Sequence, residues 1–273
     1  MRYTSTCHPM KIYGVKDIIN NHINQLFTMM NTSVIKNRLN ELKFYGMQDA
    51  FQAYLQTGQN QLSGVELLDH LLQQEWEFRQ NRNISTRIRQ ARFRYQASVE
   101  QIDCTTHRNL SKDLLLRLAD CSFIKKKENV LITGSTGVGK SFIASALGHQ
   151  ACIMGYKVLY FNTLKLFSQL KMARADDTYL KELNRMEKHH LLILDDFGLQ
   201  VLDNNTCLSL LEIIEDRHGK TSTIVTSQVP VENWYDLLGE QTIADAVLDR
   251  LVHASHRIEL QGESMRKSKK ATN

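Results

Sequence analysis

The sequence predicts an α/β fold, a parallel sheet flanked by helices, preceded by a small all-α domain. Three observations carry that prediction. From Asn129 onward, short apolar and β-branched runs alternate with helical stretches, the pattern of parallel strands joined by helical crossovers. One run ends in a glycine-rich turn that opens a helix, and another ends in two adjacent acids. From Thr32 to about Leu110 there is no strand signal at all.

The elements follow in order. Residues 1–28 have neither a helical nor a strand period, and Met29 and Met30 stand directly before a capped helical pattern. An extension over 1–30, poorly ordered, is expected. Asn31, Thr32 and Ser33 supply capping chemistry ahead of Val34, Ile35 and Leu39, and a second helix is predicted around Met47–Leu55. Ser63 caps a third, whose Val65, Leu68, Leu72 and Trp76 recur at helical spacing, with Leu67, Leu71 and Phe78 widening the stripe. Trp76 and Trp234 are expected to be packing residues. Strands are predicted at 129–133, 157–161, 191–194, 221–226 and 256–260. Helices are predicted at 140–153, 163–173, 178–187, from the Asp203 cap to His218, and at 242–252. The tail 266–273 is basic and polar.

Composition bounds the function. Of 273 residues 42% are hydrophobic, enough for a sizeable core, and only Pro9 and Pro230 are proline, as suits a helix-rich chain. The net charge of +5 permits a polyanionic partner without demanding one. Five scattered cysteines form no CxxC pair, so neither a disulfide framework nor a zinc site is suggested. His253 and His256 lack a companion ligand set. With no signal core and no apolar run of about 18 residues, a cytoplasmic protein off the membrane is expected.

Gly134-Ser135-Thr136-Gly137-Val138-Gly139-Lys140-Ser141 matches G-x-x-x-x-G-K-[ST] in full. The glycines let the backbone wrap closely and aim its N–H groups at phosphate oxygens, and the helix opening at Lys140 adds its positive end. Lys140 is expected on the β- and γ-phosphates of ATP, and Ser141 on Mg²⁺. Given average glycine usage, a chance match in such a chain is on the order of 1 in 100. The apolar run Leu191–Leu194 ends in Asp195 and Asp196. Asp195 would hold the Mg²⁺ shell, and Asp196 would orient the attacking water.

A whole strand–helix unit lies between these two motifs. That spacing resembles the P-loop class in which an extra strand separates the two motif strands, the class of AAA+ proteins, helicases and recombinases. Ser227 and Gln228 follow the next strand, where a polar residue can sit between the acids and the γ-phosphate. Arg250 ends the helix over 242–252, where an arginine can be supplied across a subunit interface.

Basic residues form two further groups. Arg79, Arg82, Arg87, Arg89, Arg92 and Arg94 run without an acid until Glu100, with Phe93 and Tyr95 interleaved. They can neutralise DNA phosphates, or form a solvated face or one that meets an acidic partner. Lys165, Lys171 and Arg174 follow the second strand, a region that commonly faces central DNA in a ring or spiral of AAA+ subunits. No base-reading motif is present, so weakly selective backbone binding is expected.

The stretch from Asn129 to Arg266, with NVLITGSTGVGKS, LLILDDFG, TIVTSQ, ENWYDLL, ADAVLDRLVHASHRIEL and GESMR, closely resembles the IstB-like family of insertion-sequence ATP-binding helpers. The helical region from Thr32 resembles that family's N-terminal domain. The resemblance implies a helical domain over 31–110 for partner or DNA binding and an AAA+ ATPase domain over 111–265. It also implies a homo-oligomer that binds ATP between subunits, assembles on duplex DNA and stimulates a transposase. By it Asp195 is the Walker B acid, Ser227-Gln228 falls at sensor 1 and Arg250 is the arginine finger. Asp196 stands where glutamate is usual, and Gln228 where asparagine is commoner. The alternatives are a replicative helicase loader, a nucleotide-gated DNA scaffold that hardly hydrolyses ATP, and a small-molecule kinase.

Overall fold

The computed structural model describes residues 31–57, 62–104 and 108–265. The expected extension over 1–30 and the tail 266–273, including Arg266, lie outside them. The chain divides into two compact units, one up to Arg82 and one from Asn83. Residues 83–110, grouped by sequence with the helical region, thus belong to the second unit.

The first unit holds α1 (31–41), α2 (Tyr45–Thr57) and most of α3 (Gly64–Ala91), which continues beyond Arg82. Ser63 caps α3 as its sequence predicts: Glu66 N donates to its hydroxyl at 3.3 Å and Ser63 N donates to the Glu66 carboxylate at 2.7 Å. Helices α2 and α3 cross at Gly46, where an added Cβ would lie 2.6 Å from Gln74 O. Glu75 is buried at this crossing, accepts from Met47 N at 3.1 Å and pairs with Arg79 at 2.7 Å.

That crossing decides which face of α3 is covered. Leu67, Leu71 and Phe78 are half-buried, whereas Val65, Leu68, Leu72 and Trp76 are exposed, Trp76 by 58%. The expectation that Trp76 packs is therefore corrected: the close approach at Gly46 turns Glu75 and Phe78 inward and the regular stripe outward.

The second unit is a five-stranded parallel sheet in the order β2-β3-β4-β1-β5. Its elements are α4 (Lys112–Ala119), α5 (Ser122–Lys126), β1 (Asn129–Gly134), α6 (Lys140–Ile153), β2 (Val158–Asn162), α7 (Thr163–Ala175) and α8 (Tyr179–Glu187). Then come β3 (Leu191–Phe197), α9 (Asn204–Arg217), β4 (Ser222–Ser227), α10 (Trp234–Leu238), α11 (Gln241–Val252) and β5 (Ser255–Leu260). The five strands and the helices expected between them are all present. Asp203 caps α9 by accepting from Thr206 N at 2.8 Å.

Strand alternation sorts the core into two layers. Val130, Ile132, Leu191 and Ile193 face α4, α5, α6 and Ala91, Ala97, Ile102 and Leu110. Leu131, Leu192, Leu194 and Val225 face α7 to α11, where Trp234 is fully buried as expected. Both faces being covered explains why the strands read as continuous apolar runs. Burial pushes the Cys152 thiol up to about 12 and the Cys121 thiol up to about 11, so both stay protonated. No described helix is long and apolar enough to cross a membrane.

After α3 the chain lies against the second unit's core. Phe93 packs against His149 with ring centroids 4.6 Å apart and the planes tilted by 45°, and Ala97 and Ile102 are buried. Phe93 fits because residue 148 is glycine: an added Cβ would meet Phe93 at 2.4 Å and Ile193 at 2.8 Å. Gly148→Val should overpack this contact and destabilise the protein by about 1–3 kcal/mol. Urea unfolding followed by tryptophan fluorescence checks this; an unchanged midpoint contradicts it.

Candidate nucleotide-binding site

The phosphate loop spans the end of β1 and the start of α6. Gly137 and Gly139 have φ of +88° and +98°, in the left-handed region that glycine enters without strain. Lys140 is 6% exposed, and its Nζ donates to Gly134 O at 2.7 Å and Ser135 O at 2.8 Å. Its ammonium thus lies inside the loop that the motif predicts. Thr136 donates to the Gln228 side chain at 2.6 Å, which brings the residue after β4 against the loop. Ser227 is fully buried; its hydroxyl donates to Phe197 O at 2.8 Å, so it serves the backbone rather than the site.

Two segments hold the loop from outside, and sequence reasoning missed the first. Arg108 is 8% exposed; it donates to Val138 O at 2.5 Å and Asp103 O at 2.6 Å. From the other side, Met265 N donates to Gly137 O at 3.0 Å. A Cβ on Gly137 would fall 2.1 Å from Ser264 Oγ.

The acid pair is set by an irregularity in β3. Leu194 pairs with Val225 and Phe197 with Ser227, so Asp195 and Asp196 together oppose Thr226. This is a bulge, which re-aims side chains at a strand end. Asp196 takes φ +61°, a conformation that aspartate tolerates better than most residues. Asp195 is fully buried. Its Oδ1 accepts from Thr226 at 2.5 Å, while its Oδ2 accepts from Tyr160 and, at 3.2 Å, from Arg94. Asp196 Oδ2 accepts from Arg94 at 2.8 Å and Asn162 at 3.1 Å. Burial first, and the adjacent carboxylate next, raise the Tyr160 phenol above the ordinary tyrosine range, so it stays a donor.

Loop, Asp196 and Gln228 share one cavity of about 700 Å³, also lined by Arg94, Tyr95, Ile102, Arg108 and Phe142. That volume suits a nucleotide. Ser141 and Asp195 offer a hydroxyl and a carboxylate, the hard oxygen donors that Mg²⁺ takes, and a guanidinium already rests on the acid pair as a cation would.

The other expected residues lie apart. Arg250 lies in the last turn of α11, shortly before β5, whose first residue Ser255 pairs with Asn129 at the start of β1. The phosphate loop follows the other end of β1, about 20 Å away at about 3.3 Å per strand residue. Arg250 donates to Ala246 O and pairs with Glu215 at 2.9 Å, and the Asn129 side chain donates to Arg250 O and Leu251 O. His256 pairs with Glu128 at 2.8 Å, a companion that sequence spacing did not suggest.

The basic candidates do not form one group. Arg82, Arg89 and Arg92 are exposed, Arg79 is paired with Glu75, and Arg87 donates to Cys152 O at 3.4 Å. Arg94, expected with the DNA-facing arginines, is turned onto the acid pair. On α7, Lys165 and Lys171 are exposed, whereas Arg174 donates to Tyr179 and Ser209 and lies 3.9 Å from Glu212.

In the sheet, β4 separates the phosphate-loop strand β1 from the acid-bearing strand β3. This topology, with the loop and the acid pair, defines an ATP-binding P-loop protein of the AAA+ fold. Solved structures agree. DnaI superposes with a TM-score of 0.52 at 23% identity, covering 61% of this chain and 92% of its own. AMPPCP-bound DnaA from Aquifex aeolicus gives 0.54 at 16% identity, covering 67% and 57%.

The chain belongs to the family of IstB-like ATP binding proteins, whose model matches residues 37–273. An insertion sequence ATP-binding protein of Sinorhizobium fredii is 43% identical over 234 residues, 85% of this chain and 96% of that one. An ATP-binding protein in an insertion sequence of Mycobacterium tuberculosis is 33% identical, covering 86% and 95%. The ATP-binding protein of insertion sequence IS21 from Pseudomonas aeruginosa is 32% identical, covering 79% and 81%.

Gly137→Ala tests the loop. A side chain at that φ costs about 1–2 kcal/mol, and the clash with Ser264 adds to it. ATP affinity measured calorimetrically should fall at least about tenfold; wild-type affinity would contradict the geometry.

Proposed function

We propose that this protein is an ATP-hydrolysing helper of insertion-sequence transposition. In this reading it works in the cytoplasm, assembles as a ring or spiral on duplex DNA, and recruits or stimulates a partner transposase. The observation that carries the assembly is Arg250, held at the end of β1 opposite its own phosphate loop. An arginine there can reach a γ-phosphate only on a second copy. The insertion-sequence relatives supply the context of transposition.

The residues then have these tasks. The loop N–H groups and Lys140 hold the β- and γ-phosphates. Ser141 and Asp195 would hold Mg²⁺, which when bound would neutralise charge on the phosphates. Asp196 orients the attacking water, one methylene further back than glutamate would. Gln228, which accepts from Thr136 in the phosphate loop, is assigned the contact with the γ-phosphate. Arg250 of one copy stabilises the charge that develops on its neighbour's nucleotide. The exposed Lys165, Lys171, Arg82, Arg89 and Arg92 remain the candidates for the DNA backbone.

Hydrolysis should rise when duplex DNA is added and vanish in Lys140→Ala. Arg250→Ala should lower the rate by at least about tenfold without weakening ATP binding. Mixing Arg250→Ala with Lys140→Ala should restore part of the rate, because each variant supplies the group that the other lacks. A mixture no more active than its components argues against the shared site, and a fully active Lys140→Ala argues against the ATPase itself.

A further inference from the structure

Arg94 is the feature that the functional reading leaves over. It follows α3 in a short linker fixed on both sides, by Phe93 on His149 and by the buried Ala97. Its side chain is 40% exposed within the nucleotide cavity, while the Asp195 side chain that it meets is fully buried. The other donors to these two carboxylates are Tyr160, Thr226 and Asn162, all neutral. Among the described residues, Arg94 is the cation in ion-pair contact with the pair.

Two adjacent carboxylates, one of them buried, require positive charge nearby. Asp195 Oδ1 is taken by Thr226, and Oδ2 by Tyr160 and Arg94. A divalent ion drawing on Asp195 therefore meets an oxygen that Arg94 already occupies, and its two charges repel the guanidinium.

We propose that Arg94 stands in for the metal ion on Asp195 and Asp196 while the site is without nucleotide, and that metal–nucleotide entry turns its guanidinium from the acids to the phosphates. The fixed linker makes this a side-chain movement. The target is close at hand, because Arg94 lines the same cavity as Lys140 and Thr136. Arg94 thereby disfavours bare metal and favours the metal–nucleotide complex. The proposal rests on the reading that the site takes a metal nucleotide, and its test is separable from hydrolysis.

The test uses the full chain without nucleotide and Mn²⁺ alone, read by electron paramagnetic resonance. Wild type should bind the ion weakly, and Arg94→Ala should bind at least tenfold more tightly. That gain should disappear when Asp195→Asn is added. Arg94→Gln, which keeps a hydrogen-bond donor but no charge, should match Arg94→Ala and covers the case in which the alanine variant does not fold. Arg94→Lys should stay near wild type. A fluorescent ATP analogue in the presence of Mg²⁺ should bind Arg94→Gln several-fold more weakly than wild type. Unchanged Mn²⁺ affinity in folded Arg94→Gln, or a gain that survives Asp195→Asn, overturns the proposal. Weak hydrolysis by every variant, with the Mn²⁺ gain intact, counts instead against the ATPase reading.

Discussion

The site is organised around one buried anion. Asp195 has no exposure to water, and a carboxylate in that position is stable only if its lone pairs are matched by donors. Thr226 comes from β4, Tyr160 from β2 and Arg94 from the linker after α3. Three separate segments are thus drawn to the end of β3 by the need to solvate one charge. The bulge at Asp195 and Asp196 follows from the same need. It lets Thr226 donate to one acid and accept from the backbone N–H of the next at 3.1 Å.

What the sequence made legible and what it did not differ in a physical way. The phosphate loop is a contiguous signal, since its glycines, Lys140 and Ser141 act within eight residues. The acids are legible because a continuous apolar run such as Leu191–Leu194 marks a strand covered on both faces, and polar residues after it mark the strand end. Arg94, Arg108 and Tyr160 act across long sequence distances, so nothing local distinguishes them from other basic or aromatic residues. Charge alone groups Arg94 with its basic neighbours, but its direction depends on the turn after Ala91. The α3 stripe failed for a related reason. Periodicity tells which residues share a face, whereas Gly46 and Glu75 determine which face α2 covers.

Residues outside the motif close the phosphate loop. Arg108 grips the Val138 carbonyl, and residues 264–265, which follow β5, lie against Gly137. The chain on both sides of the nucleotide module therefore returns to the same few loop atoms. Glycine at 137 serves this closure twice, by accepting a positive φ and by leaving room for Ser264. The loop conformation is held by tertiary contacts as much as by its own sequence.

Strand β1 runs from the neighbourhood of Arg250 to the phosphate loop, the two groups that the proposed assembly brings together across copies. Gly134, at its far end, begins the phosphate loop, while Asn129, its first residue, grips the backbone of Arg250 and Leu251 and also accepts from Thr223 N. Between them lie four buried residues, Val130 to Thr133, with 0–6% exposure, locked into pairing with β4 and β5. The strand is thus a stiff gauge. In the proposed assembly, the spacing between a copy's own nucleotide and its neighbour's is set by the length of one strand, so the pitch of a filament would be written into six residues of backbone.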